Sequence, residues 1–283
     1  MKHGAPCCKI KRAPLVRETE ASRPRRDAMR RAQLLSIACC TTVLSTPAAA
    51  ADIRVLATGV YASSLRDLIA LFERQTGDQL VLTITNAGGV LAKLAAHEDA
   101  DVVMTASAGV DTLAARGDVR AETKVEVART RLGAAVKSGT ALPDLTGEAG
   151  FRETLLAAPT VAYIDPRGGG TSGAFFDVML TRLGVIDAVH AKAVLCATGA
   201  EVAAAVASGR ATIGLTQASE LIDAPGVAFA GFLPDALNAS TPYAAAVTTR
   251  TQVQRSARAF IAFVTGPTGS ARLKQAGWNV PPH

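Results

Sequence analysis

From residue 53 onward, short apolar runs alternate with stretches in which apolar residues recur every three or four positions. Residues 53–57 read as a strand and Thr58-Gly59-Val60-Tyr61 as a turn. Leu65, Leu68, Ile69 and Phe72 then form the apolar stripe of a helix that Ser63 or Ser64 caps and Gly77 ends. The same succession of strand, glycine turn and helix recurs at 80–85, Asn86-Ala87-Gly88-Gly89 and 90–97, and once more at 101–104, 106–109 and 110–116. Polar residues 137–140 and Pro143-Asp144 mark a change of module. A second set follows: helix 151–157, strand 160–164, a glycine-rich loop, helix 173–183, strand 192–195, helix 200–208 and strand 212–216. Residues 243–248 read as a strand returning to the first module, closed by helices 253–264 and 267–276. This alternation predicts an α/β fold of mainly parallel sheets flanked by helices, with ligands at the carboxyl ends of the strands. The expected division is a first lobe of residues 52–130 plus 243–283 and a second of residues 131–242, enclosing a cleft suited to a clamp.

The glycine-rich loop, Asp165-Pro166-Arg167-Gly168-Gly169-Gly170-Thr171-Ser172-Gly173, reads as an anion cradle. Free N–H groups at a helix start attract negative charge, Thr171 and Ser172 can add hydroxyl donors, and the Arg167 fork matches the paired oxygens of a carboxylate. Gly59, Val60, Tyr61, Ala87, Gly88, Gly89 and Gln217 stand at the other strand ends and complete the expected ligand-binding set. No metal or cofactor is expected, because His3, His97, His190 and His283 show no ligand spacing. Gly168-Gly169-Gly170 lacks the Lys-Ser/Thr ending of a phosphate-binding P-loop, and Gly170-Thr171-Ser172-Gly173 misses the Gly-x-Ser-x-Gly nucleophile turn. Trp278, in the tail, reads as a core plug rather than a sugar-stacking platform.

Charge changes the picture in one respect. The formal net charge is +6, yet residues 1–51 hold ten Lys/Arg and three Asp/Glu, leaving 20 against 21 and a net of −1 for the remainder. The basic character therefore belongs to a leader, and a nucleic-acid partner is not supported. Met29-Arg30-Arg31, the apolar run 34–44 and Ala48-Ala49-Ala50 read as an export signal, with translation starting at Met29 and a mature periplasmic protein beginning at Ala51 or Asp52. The apolar run is too short for a comfortable membrane span. Cys7, Cys8, Cys39 and Cys40 lie in the leader, so the mature chain keeps Cys196, read as a small buried apolar residue. A monomer is the expected state.

The order of elements, together with Ile53-Arg54-Val55-Leu56-Ala57, Phe72-Glu73-Arg74-Gln75-Thr76-Gly77, Ala100-Asp101-Val102-Val103, Asp165-Pro166 and Ile213-Gly214, resembles the type II periplasmic binding proteins from Asp52 to the C-terminus, closest to the molybdate-binding group. That resemblance implies two lobes that capture an oxyanion with helix N-termini and neutral donors and deliver it to an ABC importer. The chain departs from the pattern at the ligand: the family's first ligand serine falls at Val60, and its second falls in Asn86-Ala87-Gly88-Gly89, which has none. Two lost hydroxyls beside an available Arg167 shift the expected ligand from molybdate to a small organic carboxylate. A smaller branch of similar proteins includes periplasmic aconitate isomerase, which moves a double bond within a tricarboxylate. Membership of that branch implies a group that removes a proton and returns it elsewhere; Glu220 and Tyr61, with Asp165 beside them, are the candidates at strand ends. Carboxylate capture is the leading expectation, isomerisation the alternative, and molybdate capture the third.

Overall fold

The computed structural model describes residues 50–238 and 240–281; the leader, with Met29, its four cysteines and Ala48-Ala49, lies outside the described residues. Ten strands are formed: β1 (Asp52–Thr58), β2 (Gln79–Thr85), β3 (Val102–Ala106), β4 (Val125–Thr130), β5 (Leu132–Lys137), β6 (Val161–Ile164), β7 (Ala193–Cys196), β8 (Ile213–Gln217), β9 (Val227–Phe232) and β10 (Thr241–Val247). The helices are α1 (Ala62–Thr76), α2 (Ala87–Ala95), α3 (Ser107–Ala115), α4 (Gly147–Ala157), α5 (Thr171–Arg182), α6 (Ile186–His190), α7 (Gly199–Ala207), α8 (Gln254–Thr265) and α9 (Pro267–Gln275).

The strands divide into two five-stranded sheets, ordered β2-β1-β3-β10-β4 and β7-β6-β8-β5-β9. In each, the three strands joined by helical crossovers are parallel: β2, β1 and β3 in the first, β7, β6 and β8 in the second. The remaining two strands of each sheet pair antiparallel, because the chain passes directly from β4 to β5 through Arg131 and returns from β9 to β10 without a crossover helix. Both sheets are thus mixed, and each forms the centre of one lobe of a two-lobed α/β fold.

Both faces of each sheet are covered. In the first, Val55 and Ala57 pack with Leu68, Phe72, Phe260 and Leu273 of the helices on one side, while Leu56 and Val103 pack with Val90 and Val110 on the other. In the second, Tyr163 and Leu215 meet Phe151, Phe176 and Val189, and Ala162 and Ile164 meet Val202 and Val206. Burial on both sides explains why β3, β6 and β8 are uninterrupted in their burial rather than alternating. Cys196 is buried at the end of β7.

Several element edges differ from the sequence expectation, each for a local reason. Helix α2 starts at Ala87, because the Asn86 side chain caps it by accepting the Gly89 N–H at 2.7 Å, drawing both glycines into the first turn. Ser64 does not cap α1; it is buried and accepts the Trp278 indole N–H at 3.1 Å. Trp278 stacks on Tyr61 at 5.0 Å, and Tyr243 stands edge-on to both, so the tail residue plugs the core behind the first sheet. The five-residue α6 is too short to show a helical period, and the half-buried β9 carries a glycine at its bulge.

Hydrogen bonds join the lobes on two sides of the strand ends, besides those that Tyr243 makes to Thr171 and Gln217. On one side Ser63 Oγ donates to the Ser219 carbonyl and Ser219 Oγ to the Val60 carbonyl, each at 3.4 Å. On the other, the Gly88 N–H donates to the Gly169 carbonyl at 3.1 Å, an approach so close that a Cβ on Gly88 would lie 3.2 Å from the Gly169 Cα.

Candidate anion-binding site

Thr58 pairs with Thr85 across β1 and β2, and Ile164 with Cys196 across β6 and β7, so the strand ends in each lobe open level with one another. Between them lies a cavity of about 30 Å³. Four helical starts border it: Gly59 and Val60 in the 3-10 turn ahead of α1, Asn86 and Ala87 at α2, Gly170, Thr171 and Ser172 at α5, and Thr198 and Gly199 at α7. A helix start presents N–H groups and the positive end of its dipole, worth about 0.3–1 kcal/mol to an anion and up to about 2 when partly buried, although Gly88 and Gly89 at α2 and Gly199 and Glu201 at α7 already have partners for theirs. Among the described residues that line the cavity, none is Lys, Arg or His.

The polar groups of the lining residues are unevenly satisfied. Ser172 Oγ and Gln217 Oε1 are buried without a hydrogen-bond partner. A buried unpaired polar group costs about 1–3 kcal/mol, a cost that a bound ligand offering the complementary atom removes. Tyr243, from β10, also lines the cavity and hydrogen-bonds to Thr171 and Gln217. Burial, and then the nearby Glu220 charge, push its hydroxyl well above the ordinary phenol range, so it is a neutral donor.

Glu220 is the one carboxyl in the lining. Thr216 Oγ1 donates to its Oε2 at 2.7 Å, and the Gln217 and Gly199 N–H groups also donate to it. Burial outweighs these three bonds and pushes its pKa up to about 7. Glycine is required around it: a Cβ on Gly59 would stand 3.1 Å from Glu220 Oε1, and one on Gly199 would stand 2.1 Å from Glu220 Cδ. A carboxyl poised near neutrality among N–H dipoles can serve as proton donor or base with little driving force lost in either direction. Glu220 also forms one wall of a neighbouring groove of about 260 Å³, which shares Gly59 with the cavity and has Arg66 and Asp223 in its lining.

The model of the bacterial extracellular solute-binding proteins matches residues 53–279. The chain belongs to this family. It is also 29% identical over 243 residues to an aconitate isomerase from a Pseudomonas species, a match covering 82% of this chain and 91% of the relative. The fold is shared with the periplasmic molybdate-binding protein of Azotobacter vinelandii, at a TM-score of 0.71 and 22% identity over 81% of this chain and all of the other. It is shared as well with the sulfate-binding protein SubI from Mycobacterium tuberculosis, at a TM-score of 0.68 and 16% identity over 82% of this chain and 88% of the other.

In this solute-binding protein, Gly59, Val60, Ala87, Thr171, Ser172, Gln217 and Glu220 line the cavity. Gly88 and Gly89 do not: their N–H groups are taken by Gly169 and Asn86, leaving Ala87 as the residue of that turn facing the space. Arg167 requires correction. Its guanidinium binds both oxygens of Asp165, at 3.0 and 2.9 Å, with 79% of its side chain exposed. Asp165 also accepts the Arg167 N–H, so a cap two residues back holds the arginine outside, in a hollow shared with Tyr163, Asp177 and His190. Exchanging Arg167 for Ala is therefore expected to change the affinity for any cavity anion by less than about fivefold in a titration, since an exposed ion pair contributes about 1 kcal/mol at most.

Tyr61 is displaced too. Its ring is wholly buried between Trp278 and Tyr243, its hydroxyl has no partner, and burial, with the Tyr243 charge second, drives its ionisation far above the usual range. It touches no part of the cavity, so Tyr61→Phe is expected to retain full ligand affinity and to be neutral or stabilising by up to about 1 kcal/mol in urea unfolding. Tyr243 takes the place at the wall that Tyr61 was expected to hold, and no sequence signal marks it. Gly199 carried a readable one: Thr198 accepts the Glu201 N–H at 3.2 Å, the Thr-x-x-Glu start of a helix.

Proposed function

We propose that the protein is exported to the periplasm, with the leader removed near Ala50, and captures a small organic carboxylate between its lobes. We infer further that it acts on that ligand as an aconitate isomerase does, with Glu220 carrying the proton. The observation that carries this reading is the placement of one carboxyl, held by Thr216 Oγ1 and the Gln217 and Gly199 N–H groups, in a cavity bordered by helix starts whose lining has no cation. A site built only to hold an anion gains nothing from a second negative charge there. A site that must move a proton beside a carboxylate needs such a group.

In the reaction, ionised Glu220 removes a proton from the methylene carbon next to a terminal carboxylate. The C–H electron pair forms the new double bond to the central carbon, and the old double bond's electrons take the proton back from Glu220 at the opposite carbon. One proton leaves and one returns, with no oxidant or metal. The negative charge that gathers on the neighbouring carboxylate in between is stabilised by the N–H groups at the helix starts and by Ser172 Oγ. In this reading the cavity takes one carboxylate head, and the neighbouring groove, which shares Gly59 and Glu220 with it, takes the rest of a tricarboxylate.

Micromolar purified protein is expected to convert trans-aconitate to cis-aconitate without added metal, followed by ultraviolet absorbance; absence of conversion between pH 6 and 9 would remove the catalytic reading. A second reading, capture of molybdate or a similar oxyanion for an ABC importer, is supported by the small cavity and the hydroxyl and amide groups in its lining. It expects molybdate, and not tricarboxylates, to raise the melting temperature, a stabilisation of about 2.7 kcal/mol at a hundredfold excess over Kd.

A further inference from the structure

Glu220 and a bound anion face each other across a lining that supplies no positive side chain. Two negative charges in such a space repel strongly, because little water remains to screen them. We propose that the site takes up one proton with each anion it binds, the proton residing on Glu220 and turned toward the ligand. This rests on the capture of an anion in the cavity, though not on its turnover.

The groups around Glu220 leave it as the place for that proton. Tyr243 from β10, and Tyr61 behind it, are held neutral by burial. From α7, the Glu201 carboxylate is turned back to accept the Ala197 N–H at 3.0 Å. From α1 and the segment after Glu220, Arg66 and Asp223 stand exposed at the groove. The strand side presents only hydroxyl and amide groups, Thr216 and Gln217. Arg131, near the chain crossing, keeps its guanidinium on Asp235.

The proton has a route. Thr216, Gln217 and Ser219 are buried, yet Glu220 retains partial exposure, and the groove that shares it and Gly59 with the cavity opens that side to water. Even without a ligand, burial raises the pKa of this carboxyl to about 7. A neighbouring anion raises it further. Protonated, Glu220 becomes a donor to the ligand instead of a repelling charge, and the site selects anions that present an acceptor oxygen to it. Affinity and turnover then run in opposite directions with pH, since binding favours the protonated carboxyl and proton abstraction needs the ionised one.

The test is calorimetric titration of the whole protein with propane-1,2,3-tricarboxylate, which has no double bond to move, and separately with molybdate. Both probes carry no proton at pH 8.5. Titrations in two buffers of different ionisation heat give the number of protons taken up. The expected result is close to one proton per anion at pH 8.5, and Kd rising about tenfold per pH unit between pH 7.5 and 9. In Glu220→Gln the uptake should vanish and Kd should become flat with pH. Binding without proton uptake, a flat wild-type Kd, or uptake unchanged in Glu220→Gln would each overturn the proposal. If that variant fails to fold, the wild-type uptake and pH slope decide alone. Binding of neither probe would instead overturn anion capture itself, and this inference with it.

Discussion

Glu220→Gln is expected to slow conversion of trans-aconitate by at least about a thousandfold, within the range that positioned acid–base groups contribute, while the protein becomes more stable above neutral pH. Glutamine keeps the shape and can still accept from Thr216, but it has no proton to move. The stability change follows from the raised pKa, about 7 in the folded chain against an ordinary 4.5. Below pH 4.5 both folded and unfolded chains hold the proton. Between 4.5 and 7 the unfolded chain releases it first, so it binds fewer protons and stability falls as pH rises through that window. Above 7 the full cost is present, up to about 3 kcal/mol at 1.36 kcal/mol per pKa unit. Removing the carboxyl removes the cost, so the variant should melt higher than the parent at pH 8 and alongside it at pH 4. Faster loss of structure in Glu220→Gln at pH 8 would contradict the buried-carboxyl account.

The second large effect is at Gly199. Its N–H donates to Glu220, and a methyl group there would stand 2.1 Å from both Glu220 Cδ and Oε2. The carboxyl is the far end of a flexible side chain, so Gly199→Ala should leave the fold intact and push the carboxyl away from Thr216 and the cavity. A displacement of about 1 Å at a reacting group costs on the order of a hundredfold in rate. Gly199→Ala is therefore expected to lose about a hundredfold in turnover with a melting temperature within a few degrees of the parent. Unchanged turnover would mean that the carboxyl's place next to α7 is not what the chemistry uses.

How much of this was legible in the chain depends on how far apart the interacting residues lie. The stripe of Leu65, Leu68 and Phe72 and the strand read over 53–57 are local patterns; the stripe appears where the periodicity puts it, and the strand extends one residue further at each end, to Asp52 and Thr58. The parallel core of each sheet follows from the same alternation, while the antiparallel strands follow from two connections that contain no crossover helix. The sequence points to Arg167 as the ligand's partner, because an arginine in a glycine loop has the right chemistry. Asp165, two residues earlier, competes for it locally and wins, since a fixed neighbour needs no capture. Tyr243 could not be read at all: it arrives from a strand more than 180 positions from Gly59 in sequence, and only the pairing of β10 with β3 sets it on the cavity wall. Glu220 was visible as an acid at a strand end, but its raised pKa depends on two distant glycines that let the backbone close around it.

Everything above rests on an anion sitting among the helix starts, against Glu220. A crystal structure of the protein with propane-1,2,3-tricarboxylate at pH 6 tests it most directly. The expected result is a carboxylate oxygen within about 3.2 Å of Ser172 Oγ and another facing the Glu220 carboxyl, with Arg167 still on Asp165. A ligand held by Arg167 in the outer hollow, with the cavity beside Glu220 unfilled, would contradict it.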